Sequence, residues 1–562
     1  MKLVLPGSDG HILHSNLMRC RLLSCPLIQD FQAFTTSQTR VEEFPSTGNV
    51  FGLAFERALG AILLKDVAAT QRMAESALAE LEMELTIRLS FKWITQEPQP
   101  RRRLAMIGGG SHPSAATDDD GPYSAASALG VDVVVLDEDG HWLQSESMGH
   151  LCDEFLVCDL TPNQGLSARI VATLRRSREA IHGVITFSDA YLAATAEAAE
   201  SIGLWTNPPD SIAALSEKGW MRELTNPCLP LITTDGQADL KRKLEALETV
   251  QFPLVTKAAY GWYSKGVMVV DSKDELINAV EMLERSLPNH KYLVEPYLSG
   301  LEMHANFVLV DGEVLFAEVG DDSPSLEEVG NRVANSFAET PSIMPAVWPL
   351  EEHHLLRSSI VSQLGQLNLT TGLFYVEALV SGSKMEYRPK DTDLALGPRN
   401  TGSRRGEPTV VVRKVKVGAP RYQDSIAVKY TYGVDYYALY ILQALQRPQG
   451  DKRHDSMMKS IRTLSEPLGE YIRYPTNVVF IPVREAGVFS AAEPLPQWIM
   501  THIPHYRVLM HDGQVVEGPH LSGKWPFVAY FVVKASLSGA AGREQVKTLG
   551  EYVRRNFRYI MT

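Results

Sequence analysis

FPLVTKAAYGWYSKGVMVV, residues 252–270, sets two apolar runs on either side of Lys257 and a loop holding Gly261, Ser264, Lys265 and Gly266. Short runs of this kind around a glycine-containing loop read as two strands of a hairpin. Glycine and serine present backbone N–H groups to an anion without side-chain obstruction, and a lysine leaving the first strand adds a compact positive charge. Taken alone, the segment reads equally well as an ordinary glycine hairpin.

KYLVEPYLSGLEMHANFVLVDGEVLF, residues 291–316, shifts that balance. YLVE ends a strand at Glu295, a short connection passes Leu298 and Gly300, and Glu302 opens another strand. A carboxylate can accept from the exocyclic amine of adenine, backbone groups beside Leu298 can read the adenine edge, and Glu302 can accept from ribose hydroxyls. Without a nucleotide the same residues form a surface hairpin with solvated acids. In this order and spacing, residues 257–267 resemble the ATP-grasp glycine loop and residues 295–302 resemble that family's adenine hinge. The resemblance runs from about Leu104 to the C-terminus. It includes Lys218 in LSEKGWMRE, at the place of the family's first phosphate-contacting lysine, although Glu217 precedes it rather than the usual Asp. TGLFYVEALV (371–380) and TYGVDYYAL (431–439) look like carnosine-synthase-type amino-acid ligases and fungal secondary-metabolite members.

The resemblance implies an α/β protein with an ATP-grasp fold, two α+β lobes clamping ATP. The expected parts are an N-terminal extension over 1–100 whose role is unknown, an open parallel α/β domain over 104–209, and the ATP-grasp domain over 210–562, with lobes at about 210–297 and 298–562. It further implies ATP and magnesium as cofactors. Lys218 and Lys257 would hold phosphates, Ser264, Lys265 and Gly266 would cover them, and Glu295, Leu298 and Glu302 would hold adenosine. Glu377 matches the family's first metal-binding acid, in a strand otherwise apolar enough to make an unpaired charge costly.

The second metal element departs from the pattern. Relatives carry a strand reading Glu, apolar, Asn, any, Arg before the YGVD helix; counting back from that helix places KVKVGAPRY there, with Lys414 at the acid, Lys416 at the asparagine and Gly418 at the arginine. Glu386 in MEYR, Asp391, Asp393, Arg399 and Arg421 are the candidate substitutes, Glu386 being the second metal candidate. Residues 414 and 416 are two apart in a strand and project to one face, with Val415 and Val417 on the other. A protonated lysine has donors and no acceptor, so it cannot coordinate magnesium. Three readings follow. The preferred one is an ATP-dependent carboxylate–amine ligase that joins a small carboxylate to an amine through an acyl-phosphate. The second is an enzyme acting without ATP, an isomerase, cyclase or lyase, with Lys414 or Lys416 as acid, base or anion clamp and a lysine pKa lowered by its neighbour; Lys414, Lys416 and Arg421 are the candidate catalytic residues. The third is a non-catalytic nucleotide-binding protein.

The remaining sequence sets outer bounds. At 562 residues, with 44% hydrophobic and 22% charged residues, the chain has the usage of an ordinary globular protein of several domains. A formal net charge of −13 opposes a phosphate backbone or an anionic membrane, so no nucleic-acid partner and no membrane are expected. Five cysteines (Cys20, Cys25, Cys152, Cys158, Cys228) without paired CxxC units read as reduced thiols. No segment reads as a secretory signal or approaches the ~20 apolar residues that span a bilayer, so a cytoplasmic location is expected. A homodimer is expected from the resemblance alone. DVAATQRMAESALAELEMELTIRL (66–89) has the three- and four-residue apolar spacing of an amphipathic helix, and TQEPQPRRR (95–103) reads as a linker. LAMIGGG, VDVVVLD, FLVCDL and GVITFSD read as strands of a parallel layer, the glycines as a tight turn, and Ser188 and Asp189 as a strand end suited to ligands or to capping a helix. His304 and Asn306 share the alternating face of Glu302. The polar stretch 388–408 reads as a loop.

Overall fold

The computed structural model describes residues 1–45, 51–65, 71–89, 93–98, 100–110, 121–216, 230–259, 267–288, 290–298, 300–322, 342–390, 393–399, 407–446, 452–516 and 527–562. Valine-rich runs separated by alanine-rich helices build a parallel layer. Strands Gly183–Ile185, Arg102–Ile107, Val131–Asp137 and Glu154–Val157 lie side by side in that order, all parallel. Helices Pro122–Leu129, Leu166–Leu174 and Leu192–Ser201 lie between successive strands or follow the last. The expected parallel α/β unit is present, with its first strand starting at Arg102. Arg102 and Arg103, read from sequence as the end of a linker, are buried strand residues: Arg103 Nη2 donates to Glu154 Oε2 at 2.5 Å, and Arg102 Nη1 to the Leu445 carbonyl at 3.2 Å. Gly108 and Gly110 take φ of 81° and 77°, the left-handed conformation that a tight turn there requires.

A four-stranded antiparallel sheet follows, in the order Ile232–Thr234, Tyr292–Pro296, Leu254–Ala258, Met268–Val270. Helices Gln237–Glu245 and Lys273–Ser286 bury Leu240, Leu244, Leu276, Val280 and Leu283 against it. The larger body is an eight-stranded sheet in the order Thr409–Val417, Gly372–Ser381, Leu301–Val310, Glu313–Asp322, Ser342–Met344, Thr476–Pro482, Phe527–Lys534, His505–Val508. Two α+β lobes after a parallel domain is the arrangement expected of the ATP-grasp fold.

Residues ahead of position 100 share the largest core. Ile12, Leu13, Leu17, Met18 and Leu22 pack in one cluster with Tyr430, Tyr432, Val434 and Leu439. Within the expected helix, Gln71–Leu89 is helical, and its Arg88 is fully buried. Arg88 donates to Glu84 at 2.6 Å, to the Arg21 carbonyl at 2.7 Å, to Ser24 Oγ at 3.0 Å and to the Ile472 carbonyl at 3.2 Å. Among the described residues, no helix is long and apolar enough to cross a membrane.

Candidate functional site: a charged sheet face beside the parallel domain

Strand Leu301–Val310 changes character along one face. Val308 and Val310 pack in the core that includes Tyr436 and Leu439, whereas Asn306, His304 and Glu302 continue the same face as polar groups. The odd-numbered Met303, Ala305 and Phe307 pack on the other side with Val376, Ala378, Val415 and Val417. Register aligns the polar positions across the sheet: His304 lies opposite Glu377, which lies opposite Lys414, and Asn306 lies opposite Tyr375, which lies opposite Lys416. Lys414 and Lys416 therefore do share one face, as their spacing required.

Glu302, Glu377 and Asp189 each meet a cation here. Lys414 Nζ lies 3.4 Å from Glu377 Oε1 and 6.0 Å from the centre of the Tyr375 ring. Lys416 Nζ lies 2.8 Å from Asp189 Oδ1, which joins the end of the parallel layer to the large sheet. Arg413 is ion-paired with Glu302. Arg421 sits at the start of helix Tyr422–Tyr432 and pairs with Asp424 at 2.7 Å. His304 and Asn306 are buried: Asn306 Nδ2 donates to Glu318 Oε1 at 2.5 Å, and His304 Nε2 lies 3.9 Å from the same oxygen. A side chain at Gly320 would meet His304 Cε1 at 2.1 Å, so glycine makes the room for that imidazole.

Arg413 and Asp189 are the residues that sequence reasoning undervalued. Strict alternation assigns 413 to the core side with 415 and 417. The pairing shifts between Glu377 and Ala378, so that Ala378 faces Val412 while Glu377 faces Lys414, and Arg413 is the extra residue of a β-bulge. The bulge lets both Arg413 and Lys414 reach partners on the polar face. The charge-rich VVVRKVKV was a visible signal; the register shift was not.

Electrostatics separates this site from the lysine expectation. Burial pushes the Glu377 carboxyl up, but Lys414 and Arg421 outweigh it and hold it below the usual carboxylate range. The Glu377 carboxylate raises the Lys414 ammonium above its ordinary value, against the effect of burial and of Arg421 and with help from Asp189. A Lys414 pKa lowered by its neighbour is thus corrected: an acid, not a second base, is the nearest charge. The expected magnesium seat does not fit either. Glu377 already faces an ammonium, and a dication ~4 Å from that ammonium is opposed by about 8 kcal/mol at an effective dielectric of about 20. Glu386 stands on a separate two-stranded ribbon, Met385–Lys390 with Asp393–Pro398, its carboxylate 3.6 Å from Arg399 Nε. Among the described residues, no group of three His, Cys, Asp or Glu side chains is placed to hold a metal.

The other expected residues lie on the four-stranded sheet and its exit. Lys257 Nζ donates to Glu295 Oε1 at 2.5 Å across adjacent antiparallel strands, where Val255 faces Glu295 and Lys257 faces Leu293. Leu298 follows in the connection to Glu302. Lys218, Ser264, Lys265, Gly266 and Asp391 lie outside the described residues.

Comparison with known proteins identifies the family and the fold. The ATP-grasp enzyme fsqD of Aspergillus fumigatus is 30% identical across the whole of this chain and 97% of its own length. The chain belongs to the ATP-grasp family. The ATP-grasp N-terminal domain matches residues 123–206, within the parallel layer that carries Asp189. Solved ATP-grasp folds superpose on most of the chain. An L-amino acid ligase from Bacillus licheniformis has a TM-score of 0.59 at 18% identity, covering 82% of this chain and 99% of its own. The biotin carboxylase domain of 2-oxoglutarate carboxylase from Hydrogenobacter thermophilus, in complex with magnesium ADP and bicarbonate, has a TM-score of 0.53 at 13% identity, covering 82% and 90%. This ATP-grasp chain is an enzyme, and its Lys416–Asp189 pair links the large sheet to the parallel domain.

Proposed function

We propose that the chain is an ATP-dependent carboxylate–amine ligase acting on small molecules, in secondary metabolism. The carboxylate attacks the terminal phosphorus of ATP, releasing ADP. An amine then attacks the acyl carbon, the acyl–oxygen bond breaks, phosphate leaves, and the amine nitrogen gives up its proton. In this reading Lys257, with Lys218, holds phosphates under Ser264, Lys265 and Gly266. Glu295 accepts from the adenine amine, the backbone beside Leu298 reads the adenine edge, and Glu302 accepts from ribose hydroxyls. Arg413, ion-paired with Glu302, then also fixes the position of that carboxylate. Lys414, Lys416 and Arg421 clamp anionic groups of the reactants; a protonated Lys414 suits this role and opposes the alternative of nucleotide-free base catalysis.

The observation that supports this most is the Lys257–Glu295 pair, which stands at the strands leading into the glycine loop and hinge, in a chain alignable end to end with an ATP-grasp enzyme. Calorimetric titration with ATP tests it. Wild-type protein should bind saturably, and Lys257→Ala should bind about tenfold more weakly or worse, the loss of one charge-assisted contact. Unchanged affinity in the variant would remove the phosphate role. Amide formation should release ADP in a one-to-one ratio; product made without nucleotide would exclude the ligase.

A further inference from the structure

Three cations of one edge strand, Arg413, Lys414 and Lys416, each meet a carboxylate from a different element: Glu302, Glu377 and Asp189. The Lys414–Glu377 pair is crowded by protein atoms enough to feel desolvation, yet it is not sealed: its side chains are 43% and 42% exposed to solvent. Both groups remain open to a ligand. The ammonium lies 3.4 Å from Glu377 and 6.0 Å from the centre of the Tyr375 ring, and the apolar Val415 and Val417 anchor its strand on the opposite face. Glu377 therefore already faces a cation that belongs to the protein itself.

Magnesium at a nucleotide site is held by one or two carboxylates together with phosphates and water, so what decides at Glu377 is the charge of its immediate neighbours. Its opposite neighbour in the sheet on one side is Lys414, which donates only, and on the other is His304, which is fully buried against Glu318. Among the described residues the side chains around Glu377 suit an anion lying over the lysine better than a cation lying between acids. Arg413, Lys416 and Arg421 add further donors on or beside the same face.

We propose that Lys414 is a built-in replacement for a metal ion at Glu377, its ammonium meeting the phosphates of the bound nucleotide directly, so that the polyphosphate is held without a divalent cation on that carboxylate. This rests on the nucleotide-binding reading above. It gives Glu377 a positioning role: the carboxylate orients the ammonium rather than coordinating an ion. The same arrangement makes the Lys414 charge, not dissolved magnesium, the element that the phosphate end depends on.

Two measurements on the full chain decide it. In the first, ATP binding is titrated in excess chelator and in magnesium. Wild type should keep its affinity within about threefold when metal is removed, Lys414→Met should lose about tenfold or more, and Lys414→Arg should recover most of the loss. A tenfold loss in wild type on chelation, or a Lys414→Met affinity equal to wild type, would overturn the proposal. In the second, manganese is titrated without nucleotide and followed by its paramagnetic resonance signal. Wild type should show no saturable site, whereas Lys414→Glu, which places a second carboxylate opposite Glu377, should gain one. A saturable site in wild type that Lys414→Glu leaves unchanged, or no gain in Lys414→Glu, would count against it. If wild type binds no ATP under either condition, the nucleotide reading fails by itself and the manganese result alone decides the fate of the cation replacement. Thermal unfolding of each variant confirms folding, with Lys414→Gln as the neutral variant if Met destabilises the strand.

Discussion

His14 is buried in the junction between the N-terminal segment and the helices around position 430, and burial lowers its pKa from 6.5 to about 4, with Asp435 opposing and Lys429 reinforcing the shift. Between these values the unfolded chain takes up a proton that the folded chain refuses. The contribution to stability is thus whole above about pH 6.5 and declines as the pH falls to about 4, by about 3 kcal/mol at 1.36 kcal/mol per unit. His14→Phe should remove that loss, so urea midpoints of wild type and variant should diverge between pH 7 and 4.5, with the variant gaining relative stability in acid. Parallel loss in both proteins would clear His14 of the effect. Such a shift is invisible in sequence, because HILHSNL (residues 11–17) does not reveal which elements cover the imidazole. The facing of Lys414 and Lys416 was legible, since strand periodicity of two is local; the direction of the Lys414 shift was not, since it depends on Glu377 across the sheet.

Strand Thr409–Val417 carries the bulge at Arg413, and its energetic logic is testable by deletion. Removing Arg413 leaves Val410, Val412, Val415 and Val417 on the core face and Lys414 opposite Glu377, because the extra residue is the one lost. Removing Val415 instead turns Lys416 toward the apolar layer and Val417 toward the charged face. Deletion of 413 should therefore lower the thermal midpoint by only a few degrees, while deletion of 415 should abolish cooperative folding or lower the midpoint by well over ten degrees, as expected for a lysine forced into a core. Equal effects would show that the bulge is not what holds the register. The strand and both of its valine pairs were readable as alternation; the bulge was not, because one extra residue is favoured or disfavoured by its partner strand, Gly372–Ser381, rather than by its own composition.

Across the whole molecule, the first hundred residues are fastened to the body by buried charge. Arg88 bridges Glu84, Arg21, Ser24 and Ile472, Arg21 Nη1 donates to the Glu466 carbonyl at 2.8 Å, and the Tyr474 hydroxyl bonds to Glu84. Arg88→Met should cost about 3–5 kcal/mol, the penalty of leaving Glu84 buried without its cation. Hydrogen exchange should rise in Leu17–Leu22 and Gln71–Leu89 together with Glu470–Ile472, and not in the strands around Glu377. Exchange confined to the first hundred residues would mean that this network does not couple the two parts. Sequence by itself determined the order of elements, the parallel layer, the strands that carry Lys257 and Glu295, and the sharing of one strand face by Lys414 and Lys416. These are local facts, carried by hydrophobic period, glycine placement and residue type. Only the tertiary structure decided that Lys414 rests on Glu377, Lys416 on Asp189 and Arg413 on Glu302, and that Arg88 reaches Ile472. Those pairings join residues far apart in the chain, and the strand register and domain packing that bring them within a few ångströms arise from the collective burial of apolar surface rather than from any one segment.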